Sequence, residues 1–180
     1  MGALIAGVSA PVSLAEGHKL ESFQCRSPEL AKWLIDRARN SHRDGASKCF
    51  VVCDELQNVI AYYALAAGSV SRAIAPGNIK RNMPDPVPVA VLGRLAVHAD
   101  WMRQGIGSGL LKDAILRTFQ LAGQMGIRAL LCHAIDEQAK AFYLKHGFLE
   151  SPIDPMTVML SLARLHAESL ARSERQLQKN

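Results

Sequence analysis

Apolar and polar positions alternate along this chain with two periods, and the order in which those periods change predicts an α/β fold. Ser27-Pro28-Glu29 opens a helix, with a capping hydroxyl, a proline in the first turn and an acidic residue facing the helix dipole. Leu30, Trp33, Leu34 and Ala38 recur at helical spacing while Lys32, Asp36, Arg37 and Arg39 remain polar, so the helix is predicted to run to about Arg39. Residues 48–53 and 59–67 are β-branched, aromatic or otherwise apolar, and the polar run 54–58 separates them as the turn of a hairpin. Residues 69–88 contain Pro76, Pro84, Pro86 and Pro88 with Gly77 and Asn78, which predicts a long, exposed, basic loop.

Val89 to Val97 is nearly continuous in apolar residues, interrupted by Gly93 and Arg94, the pattern of a central strand buried on both faces. Gly105-Ile106-Gly107-Ser108-Gly109 follows and leads into Leu110, Leu111, Ala114, Ile115, Leu121, Ala122 and Met125, the apolar stripe of a long amphipathic helix. Ala129 to Ala134 reads as a short strand, Asp136 as the cap of a helix to about His146, and Gly147 as its stop. Phe148 and Thr157 to Leu162 add strand-like pieces, residues 164–180 are charged and helix-permissive, and no internal repeat interrupts the series.

Length and composition narrow this picture. A chain of 180 residues, 49% hydrophobic and 21% charged, has ordinary globular usage and is long enough for one core, which gives a domain over 1–162 and a charged, helical tail over 163–180. The net charge of +5 favours an anionic partner without choosing among nucleic acid, a membrane surface and a phosphorylated cofactor. Cys25, Cys49, Cys53 and Cys132 form no CxxC pair and stand near no metal-spaced histidines, so they read as reduced structural thiols, and no metal site is expected. Met1 to Leu14 lacks the basic opening of a signal peptide and is too short to span a bilayer, and Met1-Gly2 has no Ser or Thr at position 6 for myristoylation. A cytoplasmic protein that does not enter a membrane is the expectation.

The glycine-rich turn carries the first chemical signal. Amide groups at a helix start lack acceptors and bear partial positive charge, and glycines let a pyrophosphate approach them, with Gly105 and Gly107 as the cradle. The spacing matches neither GxGxxG nor a P-loop with GK[ST], which argues against NAD and ATP. Taken alone, the glycines fit a tight strand-to-helix connection equally well.

The turn is followed by strand, helix and Ala141-Phe142-Tyr143-Leu144-Lys145-His146-Gly147-Phe148, and this order resembles the acetyl-CoA site of GNAT N-acetyltransferases. Leu92-Gly93-Arg94-Leu95-Ala96-Val97, Leu111-Lys112-Asp113-Ala114 and Phe148-x-x-Ser151-Pro152-x-Asp154-Pro155-Met156 resemble one branch, the GNAT toxins of toxin–antitoxin pairs. Leu14-x-x-x-His18-x-x-x-x-Phe23-x-Cys25, Trp33-Leu34 and Ala61-Tyr62-Tyr63-Ala64-Leu65-Ala66 extend the likeness over roughly residues 12–162. Met102 and Arg103 depart from the Gln or Arg and then Gly that usually begin the family's phosphate turn, and Arg26 replaces a common Gly after Cys25.

The resemblance implies the GNAT fold, a mixed central sheet flanked by helices, and acetyl-CoA as co-substrate. It implies that Leu95, Ala96 and Val97 pair with the pantetheine arm, that Arg103, Gln104, Gly105, Ile106, Gly107 and Ser108 hold the pyrophosphate, and that Phe142 lies by the cofactor. Tyr143 would face the thioester from the cleft and protonate the departing thiolate; without the glycine turn, Phe142 and Tyr143 would read as helix core. The family further implies aminoacyl-tRNA as substrate, a block of translation, a ribbon-helix-helix antitoxin that brings operator DNA to the complex, and a homodimer.

Charge and acidity bear on the substrate. An α-amine with a pKa of about 8 is partly neutral near pH 7 where lysine, about 10.4, is not, and residues 89–97 supply no carboxylate base. Both points favour an α-amine. Arg72, Lys80, Arg81 and Arg94 are candidate phosphate contacts around the loop and acceptor strand. His133 reads as a hydrogen-bonded structural histidine, and His98 and Asp100 as shaping the glycine loop. The competing readings are acetylation of a small amine or protein N-terminus, and a non-enzymatic CoA-binding or repressor subunit, against which Tyr143 argues.

Overall fold

The computed structural model describes residues 7–167 and Arg175. The expected tail over 163–180 therefore lies largely outside the described residues, of which 162–167 are helical. Two compact units are present, one built from the chain up to Ala66 with Leu92–Leu116, the other from Ala67–Val91 with the chain from Arg117 onward. Seven strands form a mixed sheet in the order β1-β2-β3-β4-β5-β7-β6, and β3 and β4 each belong in part to both units.

In the first unit the edge strand β1 (Val12–Ser13), too short to have a periodicity of its own, pairs antiparallel with β2 (Lys48–Cys53). The helix α1 (Pro28–Asp36) begins as expected, the Ser27 side chain accepting from the Leu30 amide. It stops earlier than expected. Arg37 leaves the helical region at φ −125°, and a second helix, α2 (Ala38–Asp44), starts behind it and ends at Gly45 with φ +80°. Distant contacts hold the restart: the Arg39 guanidinium donates to the carbonyls of Ala15 and His18, and His42 Nδ1 accepts from the Cys49 amide.

The hairpin of β2 with β3 (Val59–Val70) runs in the register Lys48↔Leu65 to Cys53↔Val59. Its turn is closed by the Asp54 carboxylate, which accepts from the amides of Leu56 and Asn58 and the side chain of Asn58. Leu14, Leu20, Phe23, Leu34, Val51 and Tyr62 form the core of this unit.

The second unit corrects the reading of residues 69–88 as one exposed loop. β3 continues to Val70, α3 (Gly77–Lys80) follows, and β4 (Val87–Val97) begins two residues before the expected start. Ala75 and Ile79 are fully buried, packed with Val87, Val89, Ala129, Leu131 and Met159. The Arg128 guanidinium pins α3 by donating to the carbonyls of Ile79 and Asn78 at 2.9 and 3.1 Å. Gly68 is required nearby, since a Cβ there would meet Val91 Cγ2 at 2.8 Å. Ile79→Ala is therefore expected to cost at least about 2 kcal/mol of stability in a denaturant titration, where an exposed loop residue would cost less than about 0.5.

A 3₁₀ turn, Ala99–Trp101, precedes α4 (Ile106–Ala122). That helix buries Leu110, Leu111, Ala114 and Thr118 but stops before the expected Met125. Gly123 and Gly126 follow its end, and Leu121 and Met125 are 47% and 60% exposed. β5 (Ala129–His133) pairs parallel with β4 over Val89–Val91 and antiparallel with β7 (Thr157–Ser161). Between them come α5 (Glu137–Lys145), capped by Asp136, and the short β6 (Leu149–Glu150). Gly147, at φ +90°, makes the reversal after α5. Among the described residues no helix is long and apolar enough to cross a membrane.

Candidate active site

The site begins where β4 outruns its neighbour. The parallel ladder with β5 covers Val89–Val91, and β4 continues through Leu95, Ala96 and Val97 to its end. Beyond that ladder a strand edge has amide and carbonyl groups with which an extended ligand arm can pair. The chain then turns, the His98 side chain accepting from the Asp100 amide and its ring packing on Phe23, so His98 and Asp100 do shape this loop.

Two left-handed residues build the glycine turn, Arg103 at φ +62° and Gly105 at φ +80°. Positive φ at alternate positions turns successive backbone amides toward one side, the concave arrangement that receives an anion. Gly109 donates to the Gly105 carbonyl as α4 begins, and helix geometry leaves the first amides, including those of Ile106, Gly107 and Ser108, without acceptors inside the helix. Ile106 is buried and anchors the helix start, whereas Arg103, Gln104, Gly105 and Ser108 are exposed. Nothing lies within 4 Å of the place a Gly105 Cβ would take, so the mouth of the turn is open. This donor set fits the pyrophosphate of a CoA ester, with the Arg103 guanidinium adding formal charge.

Within the first unit, Asp113 on α4 accepts a hydrogen bond from the hydroxyl of buried Tyr63, which fastens the helix behind the turn. The two residues stand in separate sequence motifs, and only the fold brings them together. Arg94 also lies in this unit, half-buried, its guanidinium 4.1 Å from the Trp33 ring centroid, and Trp33 stacks in turn on Tyr62.

The other candidates belong to the second unit. Tyr143 on α5 is 6% exposed, its ring edged by Phe142 and Phe148, and its hydroxyl is hydrogen-bonded with the thiol of Cys132 on β5. Burial pushes the Tyr143 hydroxyl well above the ordinary phenol value, so it is a neutral donor throughout the physiological range. Burial likewise pushes the Cys132 thiol up to about 11, which makes it a protonated partner and not a nucleophile. The sequence reads Cys132 as a reduced structural thiol, and nothing local marks a strand thiol as facing a helix tyrosine. Phe142 is half-buried against Tyr143 and His146.

Arg72 and Arg81 are exposed and Lys80 half-buried, all in the second unit. His133 is hydrogen-bonded as expected, with Nδ1 2.7 Å from Thr157 Oγ1, yet the residue is exposed. All four cysteines are free thiols, Cys49 pushed up to about 12 by burial. A separate groove of about 530 Å³ in the second unit, lined by Phe119, Gly123, Ile127, Leu162 and His166, shares no residue with these candidates.

Residues 45–150 match the model of the acetyltransferase (GNAT) domain. The chain is 46% identical over 156 residues, 87% of its own length and 93% of the relative's, to a tRNA-acetylating toxin of Mycobacterium tuberculosis (strain ATCC 25618 / H37Rv). Among solved structures it resembles AtaT complexed with acetyl-methionyl-tRNAfMet, with TM-score 0.82 and 22% identity over 89% of this chain and 98% of that one. A Tyr-to-Phe mutant of the AtaT toxin, bound to the C-terminus of the antitoxin AtaR and to acetyl-CoA, matches with TM-score 0.77 and 21% identity over 89% and 97%.

Proposed function

Because this chain belongs to the GNAT acetyltransferase family, we propose that it is a toxin that carries the acetyl group of acetyl-CoA to the α-amino group of aminoacyl-tRNA and so blocks translation. The observation that carries this reading is the pair of left-handed residues, Arg103 and Gly105, in the turn that opens α4 after β4, in a chain 46% identical to a tRNA-acetylating toxin. Acetylation of a small amine or a protein N-terminus is not favoured, since that relative spans nearly the whole chain.

In this reading the amides of Gln104 to Ser108, with Arg103, bind the pyrophosphate. The β4 edge at Leu95, Ala96 and Val97 aligns the pantetheine arm, and Phe142 packs beside the cofactor. Tyr143 gives its proton to the departing CoA sulfur. No metal is needed for this transfer, and among the described residues no cluster of metal-ligating side chains occurs. The protein works in the cytoplasm as a homodimer and is neutralised by a ribbon-helix-helix antitoxin, through which the complex binds operator DNA.

Arg72, Lys80 and Arg81 receive tRNA phosphates. Arg94 is a further contact, but reversing its charge would also break the stack on Trp33, so it is left out of the test. The triple variant Arg72→Glu, Lys80→Glu, Arg81→Glu is expected to bind charged tRNA about tenfold more weakly and to lower the slope of log K against log salt by about 2. Unchanged affinity and slope would remove these residues from the interface. The activity itself is tested with labelled acetyl-CoA and a pool of aminoacylated tRNAs, mapping acetylated aminoacyl esters by mass spectrometry. Binding of acetyl-CoA without transfer to any charged tRNA would overturn the substrate.

A further inference from the structure

We propose that His133 is the general base of the transfer, held in its basic tautomer by Thr157 and Asp154; the proposal rests on the acetyltransferase reading above. β4 supplies no carboxylate, so the proton that an ammonium acceptor must lose has no recipient on that strand. The end of β5 has one. His133 lies across from Thr157 in the β5–β7 register, with Nδ1 2.7 Å from Thr157 Oγ1. The Thr157 hydroxyl donates to Asp154 Oδ2 at 2.5 Å, and Asp154 Oδ1 accepts the Met156 amide.

The direction of this relay follows from counting protons. Hydrogen bonding from Thr157 holds the Asp154 carboxyl below its usual range, so it is ionised and accepts only. The single hydroxyl proton of Thr157 therefore points at Asp154, and Oγ1 must accept from His133 Nδ1–H. That leaves the lone pair of the neutral ring on Nε2, which has no partner among the described residues. Thr157 is fully buried between half-buried Asp154 and exposed His133, so the hydrogen bonds fix a basic nitrogen on an accessible residue.

The neighbouring position completes the arrangement. Cys132 and His133 point to opposite faces of β5, Cys132 toward Tyr143, so one strand end has the acid's partner on one side and the base on the other. His133 Nε2 takes a proton from the acceptor ammonium, freeing the nitrogen lone pair. That pair forms the C–N bond at the acetyl carbonyl, the C–S bond breaks, and its electrons stay on sulfur. Tyr143 protonates the sulfur and regains a proton from the new amide nitrogen, while His133 later releases its own to water.

Among the described residues, Asp154 is the charged group placed beside His133. Asp154 approaches from the segment before β7, Cys132 on its own strand faces away, and Thr157 on β7 does not titrate. Without the base, the protein draws only on acceptor already neutral in water.

The test measures acetyl transfer from acetyl-CoA to charged tRNA and to glycinamide between about pH 6.5 and 9, with wild type, His133→Ala, His133→Asn and Thr157→Val. For an amine of pKa about 8, both His133 variants are expected to lose about tenfold at about pH 7 and to approach wild type near pH 9. Asparagine can keep the hydrogen bond to Thr157 but has no basic atom, so its failure to rescue separates chemistry from packing. Thr157→Val should show a smaller loss with the same pH trend. A loss equal at every pH, rescue by Asn, or no loss would overturn the base. Wild type acetylating glycinamide but not tRNA would overturn the substrate reading while the variants still report on His133. Transfer to neither acceptor would overturn both.

Discussion

Tyr143→Phe is expected to reduce acetyl transfer to charged tRNA by about 10²–10⁴-fold while acetyl-CoA affinity stays within about twofold of wild type. The substitution removes one oxygen from a residue whose ring is 6% exposed and packed between Phe142 and Phe148, so the aromatic contacts persist. What is lost is the proton source and its bond with Cys132. A thiol is a weak hydrogen-bonding group, so leaving it unpaired costs little and the variant should fold. Because burial raises the folded pKa of Tyr143, the neutral phenol is favoured; that contribution is full below the unfolded value of about 10 and is lost only as pH rises through the folded one. Wild-type transfer should accordingly show no alkaline fall from this group at or below about pH 9. Steady-state transfer rates and calorimetric acetyl-CoA binding decide the matter. A Phe variant as fast as wild type would leave Tyr143 a packing residue.

The parts of this fold that were legible in the sequence are those whose causes are local. Ser27 and Asp136 cap the helices they were expected to cap, because a side chain that accepts an amide two or three residues ahead needs no distant partner. The glycine turn was legible for a similar reason: Gly105 is a residue that adopts positive φ at little cost. Arg103 at φ +62° was not, since nothing in its neighbours demands it.

Elements decided by long-range contacts were missed. The break at Arg37 depends on Arg39 and His42 finding carbonyl and amide groups in other segments. Residues 69–88 look like open loop because prolines and polar residues dominate, yet Ile79 is fully buried and Arg128, about fifty positions away, holds its carbonyl. The candidate site divides along the same line. Tyr143 was found through family resemblance, whereas the Cys132 thiol against it and the His133–Thr157–Asp154 relay require strand β5 to meet α5 and β7. No spacing rule within one segment encodes such meetings.

Gly105→Asp is expected to bind acetyl-CoA about 30- to 150-fold more weakly than Gly105→Asn, which itself loses only a few fold against wild type. Position 105 sits at φ +80°, where asparagine and aspartate are the least strained of the non-glycine residues, so the two variants share the same backbone cost. They also share size, and the space above Gly105 is open to either. The variants differ by one negative charge beside the amides that open α4. Two like charges about 4 Å apart repel by about 1 kcal/mol in water and about 4 kcal/mol at an effective dielectric of 20. An exposed cradle lies between these limits, which gives about 2–3 kcal/mol. Salt should narrow the gap between the variants, because the repulsion is screened while the backbone cost is not. Dissociation constants from calorimetry at two salt concentrations separate the terms. Equal affinities for the Asp and Asn variants would mean that no phosphate approaches Gly105, and the cradle would have to be sought elsewhere on the chain.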